Sequence, residues 1–202
     1  MLRRLAWILL AATLGWTVRH ALSSTFDDHA LAPRRAPSPT LPASESTSPC
    51  ERKPHQSCIL DGIVVYVDDG DTIILTDDNG RKHRIRLANI DAPEIAHPRM
   101  PAQPYGYEAK AFLAEQIRGK RVQVYVSDRD QYGREIGDIR LDGQDIDLLM
   151  VQHGLAWAYR QYLPADQADT YLAAEEAAKS NRLGLWADPS PTPPWEWRHS
   201  HR

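Results

Sequence analysis

The chain has 202 residues, a formal net charge of −3, 15 prolines and 2 cysteines, enough for one domain of ordinary size plus flanking segments. The charge is uneven: residues 59–189 hold 15 Lys/Arg against 22 Asp/Glu, a net −7. That balance argues against a sequence-blind polyanion binder with a broad basic face, so a nucleic-acid partner would need bound cations or a few placed arginines.

The chain opens MLRRLAWILLAATLGWTV, with Arg3 and Arg4 ahead of a largely apolar run at residues 5–18. This fits the n-region and h-region of a secretory signal, and is short for a helix crossing about 30 Å of hydrocarbon. Cleavage after Ser23 leaves a secreted or periplasmic protein. An uncleaved run, with Trp7 and Trp16 near its ends, makes a membrane anchor; a third reading is an ordinary buried helix. In both leading readings the remainder is exported. Residues 24–58 read as a Pro/Ser-rich spacer with little to bury, expected to be extended. It ends in Cys50 and Cys58, which in an exported chain are expected to pair; a metal site assisted by His55 is the rival.

The folded segment is expected at residues 59–188. Three β-type runs come first, at 62–67, 72–76 and 82–90, punctuated by Asp-Asp-Gly-Asp (68–71) and Asp-Asp-Asn-Gly (77–80). Asn79-Gly80 is a strong hairpin signal, and Gly70 is expected to supply positive φ in the other turn. A Pro-rich loop follows, then a helix at 107–118 with Ala109, Phe112, Leu113 and Ile117 at helical spacing. Alternating apolar and polar residues predict a half-buried strand at 121–128, with 135–141 as its partner. Short and longer helices are predicted at 147–153 and 166–181, and Trp186 is expected to close the core. Five strands with about three interposed helices predict an α+β, mainly β fold: a five-stranded OB-type barrel with helices packed on it. In the tail, residues 189–202, Trp195 and Trp197 follow a rigid Pro-rich stretch; packing on the barrel is one reading and stacking on bases the other.

Chemistry-bearing residues cluster in the turns. If the first and third strands flank the second, antiparallel pairing brings Asp71 and Asp91 together. Two carboxylates with a backbone carbonyl form a hard oxygen site that suits calcium. Pro93 fixes the local backbone between Asp91 and Glu94. Asp68, Asp77 and Asp78 read as turn residues. Arg134, directly after the turn glycine Gly133, is held at a defined place and its fork can grip phosphate oxygens. Arg86 shares its strand face with Arg84 and Ala88.

DGDT (69–72), RLxxIDAPE (86–94), YGxEA (105–109), DxYGR (130–134) and HGLAW (153–157), in this order, resemble the staphylococcal, thermonuclease-type nuclease family over residues 61–186. The resemblance implies an OB-type barrel and calcium-dependent endonuclease cleavage of DNA and RNA on the 5′-oxygen side of phosphorus, leaving 3′-phosphates. It implies that Asp71, Asp91 and the Ala92 carbonyl hold one Ca²⁺, and that Glu94 positions or deprotonates the attacking water. Arg86 and Arg134 would grip the phosphate, with Tyr132 and Tyr159 or Tyr162 contacting the nucleotide. Phosphodiester hydrolysis needs charge neutralisation, an aligned water and stabilisation of extra negative charge, and each role has an occupant here.

Single strands are the favoured substrate, no obligate protein partner is expected, and membrane contact would come only through an uncleaved N-terminal segment. Gln131 stands where relatives often carry a basic residue; with the acidic surface it predicts weak, salt-sensitive binding and a higher metal requirement. Two other classes fit the pattern: an OB barrel that binds single-stranded nucleic acid without cutting it, and a structural or adhesive envelope domain.

Overall fold

A computed structural model describes Cys50 and residues 57–201. The apolar N-terminal run, most of the spacer and His55 lie outside the described residues. Cys50 and Cys58 are joined by a disulfide with Cα atoms 5.6 Å apart. Among the described residues no helix is long and apolar enough to cross a membrane.

Strand β1 (Cys58–Val67) pairs on one side with β2 (Thr72–Thr76) and on the other with β5 (Arg121–Arg129), both antiparallel. It begins earlier than the apolar run suggests, because its first residues pair with β5: Cys58 lies opposite Val126. Leu60, Val64 and Val67 point inward, and a bulge between Val64 and Tyr66 moves the alternation by one so that Val67 still faces the core. An extra residue of this kind bends a strand and increases its twist, which helps a small sheet to close. β2 pairs with β3 (Lys82–Leu87), and β5 pairs with β6 (Glu135–Leu141). A parallel contact of β3 with β6 completes a closed five-stranded barrel.

The run predicted as one strand over 82–90 is broken. Beyond β3 the chain turns at Ala88-Asn89 and resumes as the two-residue β4 (Ile90–Asp91), which pairs with β8 (Trp157–Ala158) instead of continuing the barrel. The cause is Asn89, buried and polar. Its side-chain amide donates to Asp138 at 2.9 Å and to Gln167 and Tyr171 at 3.3 Å each, which requires a local departure from strand geometry.

Helix α1 (Gly106–Ile117) buries Ala109, Leu113 and Ile117 against the barrel. The short strand β7 (Gln144–Asp145) leads into α2 (Ile146–Gln152), whose N-cap Asp145 accepts from the Leu148 N–H at 3.0 Å. Helix α3 (Ala168–Ser180) packs on α2, and Trp186 lies in a 3₁₀ turn (Gly184–Ala187) packed with Leu185 and Ala178. A fourth helix, α4 (Pro194–Ser200), was not expected; Pro194 occupies its first turn, where a missing N–H costs nothing.

Candidate active site

Two turns and one loop converge at one end of the barrel. In the first turn Gly70 does something other than relax the backbone: its φ is not positive. A Cβ there would lie 2.6 Å from Ala92 Cβ and 2.8 Å from Ala109 Cβ, so glycine is needed to let the Asp71 turn press against both the Asp91–Ala92 segment and α1. Asp69 Oδ1 accepts the Asp71 N–H at 3.0 Å and sets the turn. The β2–β3 register puts Thr72 opposite Arg86, and the Leu87 N–H donates to the Asp71 carbonyl at 2.9 Å. Glu94 is fixed from behind: its N–H donates to Gln103 Oε1, its carbonyl accepts from the Gln103 N–H, and a Cβ on Gly106 would strike that carbonyl at 2.2 Å.

Asp71 and Asp91 meet at Arg86. Its Nη2 lies 2.8 Å from Asp91 Oδ1 and 3.2 Å from Asp71 Oδ2, while Nη1 donates to the carbonyls of Leu87 and Ile90 at 2.7 and 2.9 Å. Four contacts leave the Arg86 fork no freedom to turn. Asp71 Oδ2 also accepts the Ala92 N–H at 2.7 Å, so its carboxylate ties the two segments together. Asp91 is fully buried and Asp71 nearly so.

Burial pushes the Asp71 carboxyl up to about 6, Arg86 opposing and the Asp69 charge reinforcing the rise. Burial raises Asp91 as well; the Arg198 hydrogen bond opposes this, and the neighbouring Asp71 charge adds to it. Glu94 rises for the same first reason, again against Arg198. Burial works against the charged form of Arg86, but Asp71 and Asp91 hold it more firmly protonated.

Arg134 stands beside this cluster. Asp130 accepts from its Nε at 2.7 Å, and Nη1 approaches Thr72 Oγ1 at 3.5 Å. The same hydroxyl donates to Asp71 Oδ1 at 3.3 Å, so Thr72 links the second arginine to the carboxylate pair. Tyr132 is exposed near the turn tip, with Arg134 5.8 Å from its ring centroid. Tyr159 follows β8; its N–H donates to the Asn89 carbonyl, and its hydroxyl is raised first by burial and then by the Asp91 charge. Tyr162 packs its ring 4.8 Å from Tyr159 and stays exposed.

The structure therefore brings Asp71, Asp91, Ala92, Arg86 and Glu94 together, with Arg134 joined through Thr72 and the three tyrosines at the margins. Sequence reasoning missed Thr72, Gln103 and, above all, Arg198. From α4, Arg198 Nη2 donates to Asp91 Oδ2 at 2.8 Å, and Nη1 donates to Asp91 Oδ1 at 3.1 Å and Glu94 Oε1 at 2.7 Å. The Pro-Pro at 193–194 ahead of WEWRH was the available signal for a helix start, but nothing in the sequence says where that helix lands.

Among the described residues no three of His, Cys, Asp and Glu gather as a ready metal cage. The donor chemistry nevertheless fits a hard cation. Two buried carboxylates share one guanidinium nitrogen, Asp91 feels the charge of Asp71, only oxygen donors are offered, and a second guanidinium cation rests on Asp91 and Glu94. Asp71 and Asp91 with the Ala92 carbonyl would hold such an ion, and solvent would complete its shell.

The profile of the family described as "Staphylococcal nuclease homologue" matches residues 84–188. The Oryza sativa subsp. japonica protein "Probable staphylococcal-like nuclease CAN1" is 46% identical over 122 residues, covering 60% of this chain and 34% of that protein. An Escherichia coli O157:H7 protein, "Uncharacterized endonuclease", is 40% identical over 142 residues, 69% of this chain and 86% of its own length. A Haemophilus influenzae protein with the same description is 35% identical over 139 residues, with coverage of 69% and 73%. This chain thus spans about a third of the plant relative and most of the bacterial ones.

Proposed function

The chain belongs to the staphylococcal nuclease family, and from that premise we propose that it is a calcium-dependent endonuclease. It hydrolyses phosphodiester bonds of DNA and RNA with little sequence preference, single strands being favoured, and acts outside the cytoplasm. The observation that carries this reading is the convergence of Asp71 and Asp91 on one nitrogen of Arg86, with Glu94 alongside. Relatives whose descriptions name a nuclease or an endonuclease support the activity class.

One calcium ion held by Asp71, Asp91 and the Ala92 carbonyl would supply Lewis-acid polarisation and neutralise part of the diester's charge. The chain's own groups do the rest. Arg86, with Nη1 fixed on two carbonyls, presents its Nη2 edge toward the carboxylates and the phosphate position. Arg134, held at Nε by Asp130, turns Nη1 toward Thr72, from where its fork would reach the same phosphate. Together they oppose the negative charge that grows as phosphorus becomes five-coordinate. Glu94 accepts the proton of the attacking water; burial, by raising its carboxyl, makes it a stronger proton acceptor than an exposed glutamate. Tyr159 and Tyr162 offer faces to a base, and Tyr132 a hydroxyl at the rim.

The test is cleavage of single-stranded DNA and RNA by the purified chain in calcium, and again after chelation. Calcium-dependent products ending in 3′-phosphate are expected. Nucleic acid bound but left uncut under both conditions would instead identify a binding module.

A further inference from the structure

Arg198 lies outside the barrel and outside the region matched to the family, yet it makes three contacts to two of the site's carboxylates. Calcium bound to a carboxylate oxygen sits about 2.3–2.6 Å from it. The Arg198 nitrogens, 2.7 to 3.1 Å from Asp91 and Glu94, already fill that space. A second cation there meets like charge at close range, in a site too buried for water to screen well. Glu94 Oε1, one of the two oxygens that could take the proton of a water, is occupied by Nη1.

The same helix covers a second part of the site. The Trp195 ring lies parallel to that of Tyr159, with centroids 6.0 Å apart and planes 5° from coplanar, and meets Trp157 edge-on at 5.6 Å. A flat aromatic group therefore rests on the tyrosine that a nucleobase would use. One seven-residue helix thus places a cation on Asp91 and Glu94 and a ring on the base-stacking face.

Apart from the Arg198 and Trp195 contacts, its attachment is light. Gln103 Nε2 donates to the Thr192 carbonyl at 2.6 Å and Trp197 Nε1 to the Pro101 carbonyl at 3.3 Å, and within α4 only Pro194 is buried. Segments with so little buried surface open at low free-energy cost.

We propose that residues 189–201 form an inhibitory strap whose Arg198 competes with the divalent cation for Asp91 and ties up Glu94, so that cation binding and strap release are coupled. This rests on the calcium-nuclease reading above. A site available only in the undocked fraction has its apparent affinity reduced by that fraction.

The test uses the intact chain, Arg198→Gln and Trp195→Ala, with two readouts that need no substrate: calcium affinity by titration calorimetry, and hydrogen exchange of residues 194–200. Arg198→Gln is expected to bind calcium roughly tenfold more tightly. Trp195→Ala should move affinity in the same direction by less, and in the unsubstituted chain α4 should exchange faster as calcium is added. Unchanged or weaker calcium binding in both variants, with exchange of α4 indifferent to calcium, overturns the strap alone. Calcium affinity unchanged but cleavage lost in Arg198→Gln would make Arg198 a phosphate contact and overturn it too. Absence of calcium binding in the intact chain and in both variants removes the metal reading and the strap together.

Discussion

Two groups of carboxylates flank Asn89, and their most buried members are satisfied in different ways. At the active-site end Asp71, Asp91 and Glu94 face guanidinium cations from Arg86 and Arg198. On the other side of Asn89, Asp147 is fully buried and answers to backbone: Oδ1 accepts the Ile139 N–H at 3.2 Å and Oδ2 that of Asn89 at 3.5 Å. Asp138 accepts from the Asn89 amide and Asp145 from the Tyr171 hydroxyl, with Arg140 paired to Asp145 at 2.6 Å. Burial raises Asp147 well above the usual carboxylate range, and the charges of Asp138 and Asp145 push the same way. The lesson is one of division of labour. The second group uses its acceptors to hold the kink at Asn89, which delivers Asp91 to the site; the first keeps its charge facing cations.

The two groups should therefore fail differently. The largest effect is expected at the catalytic end: Glu94→Gln and Arg134→Ala should each lower the cleavage rate on the order of a hundred- to a thousand-fold, with circular dichroism and urea midpoints little changed. Asp147→Ala should do the reverse. It leaves two buried N–H groups without acceptors, for a loss of roughly 2–4 kcal/mol in urea unfolding, while the fraction that remains folded still cuts.

The smallest and sharpest difference is in pH dependence. Because the folded-state pKa of Asp147 is raised, its proton-linked contribution to stability is complete below about 3.8 and is lost as pH rises through the folded value. The stability gap between the native chain and Asp147→Asn should therefore narrow as pH rises from 4, by at most about 1.4 kcal/mol per pH unit. A gap that is constant with pH would show that Asp147 does not titrate as the fold requires.

Much of this architecture was legible in the chain because the signals are local. A β-type run between turns marked β2, alternation marked β5 and pointed to β6 as its partner, helical spacing marked α1 and α3, and Asn79-Gly80 marked a turn in which Gly80 does take positive φ. The site residues were legible through short motifs whose order matters more than any one of them. What was hidden depends on contacts distant in sequence. The break after Leu87 follows from where the Asn89 side chain finds partners, 49 to 82 residues away. Gly70 looked like a turn glycine and proved to be a close-approach glycine, because the atoms that forbid a Cβ belong to Ala92 and Ala109. Arg198 reaches Asp91 across 107 positions, beyond any motif.

The central claim is that Asp71 and Asp91, and not the neighbouring acidic group, form the cation site. Calcium titrated calorimetrically into the intact chain, Asp91→Asn and Asp147→Asn tests it most directly. One ion is predicted for the intact chain and for Asp147→Asn, and none for Asp91→Asn with its fold intact. Calcium binding retained in Asp91→Asn, or lost in a folded Asp147→Asn, would contradict the account.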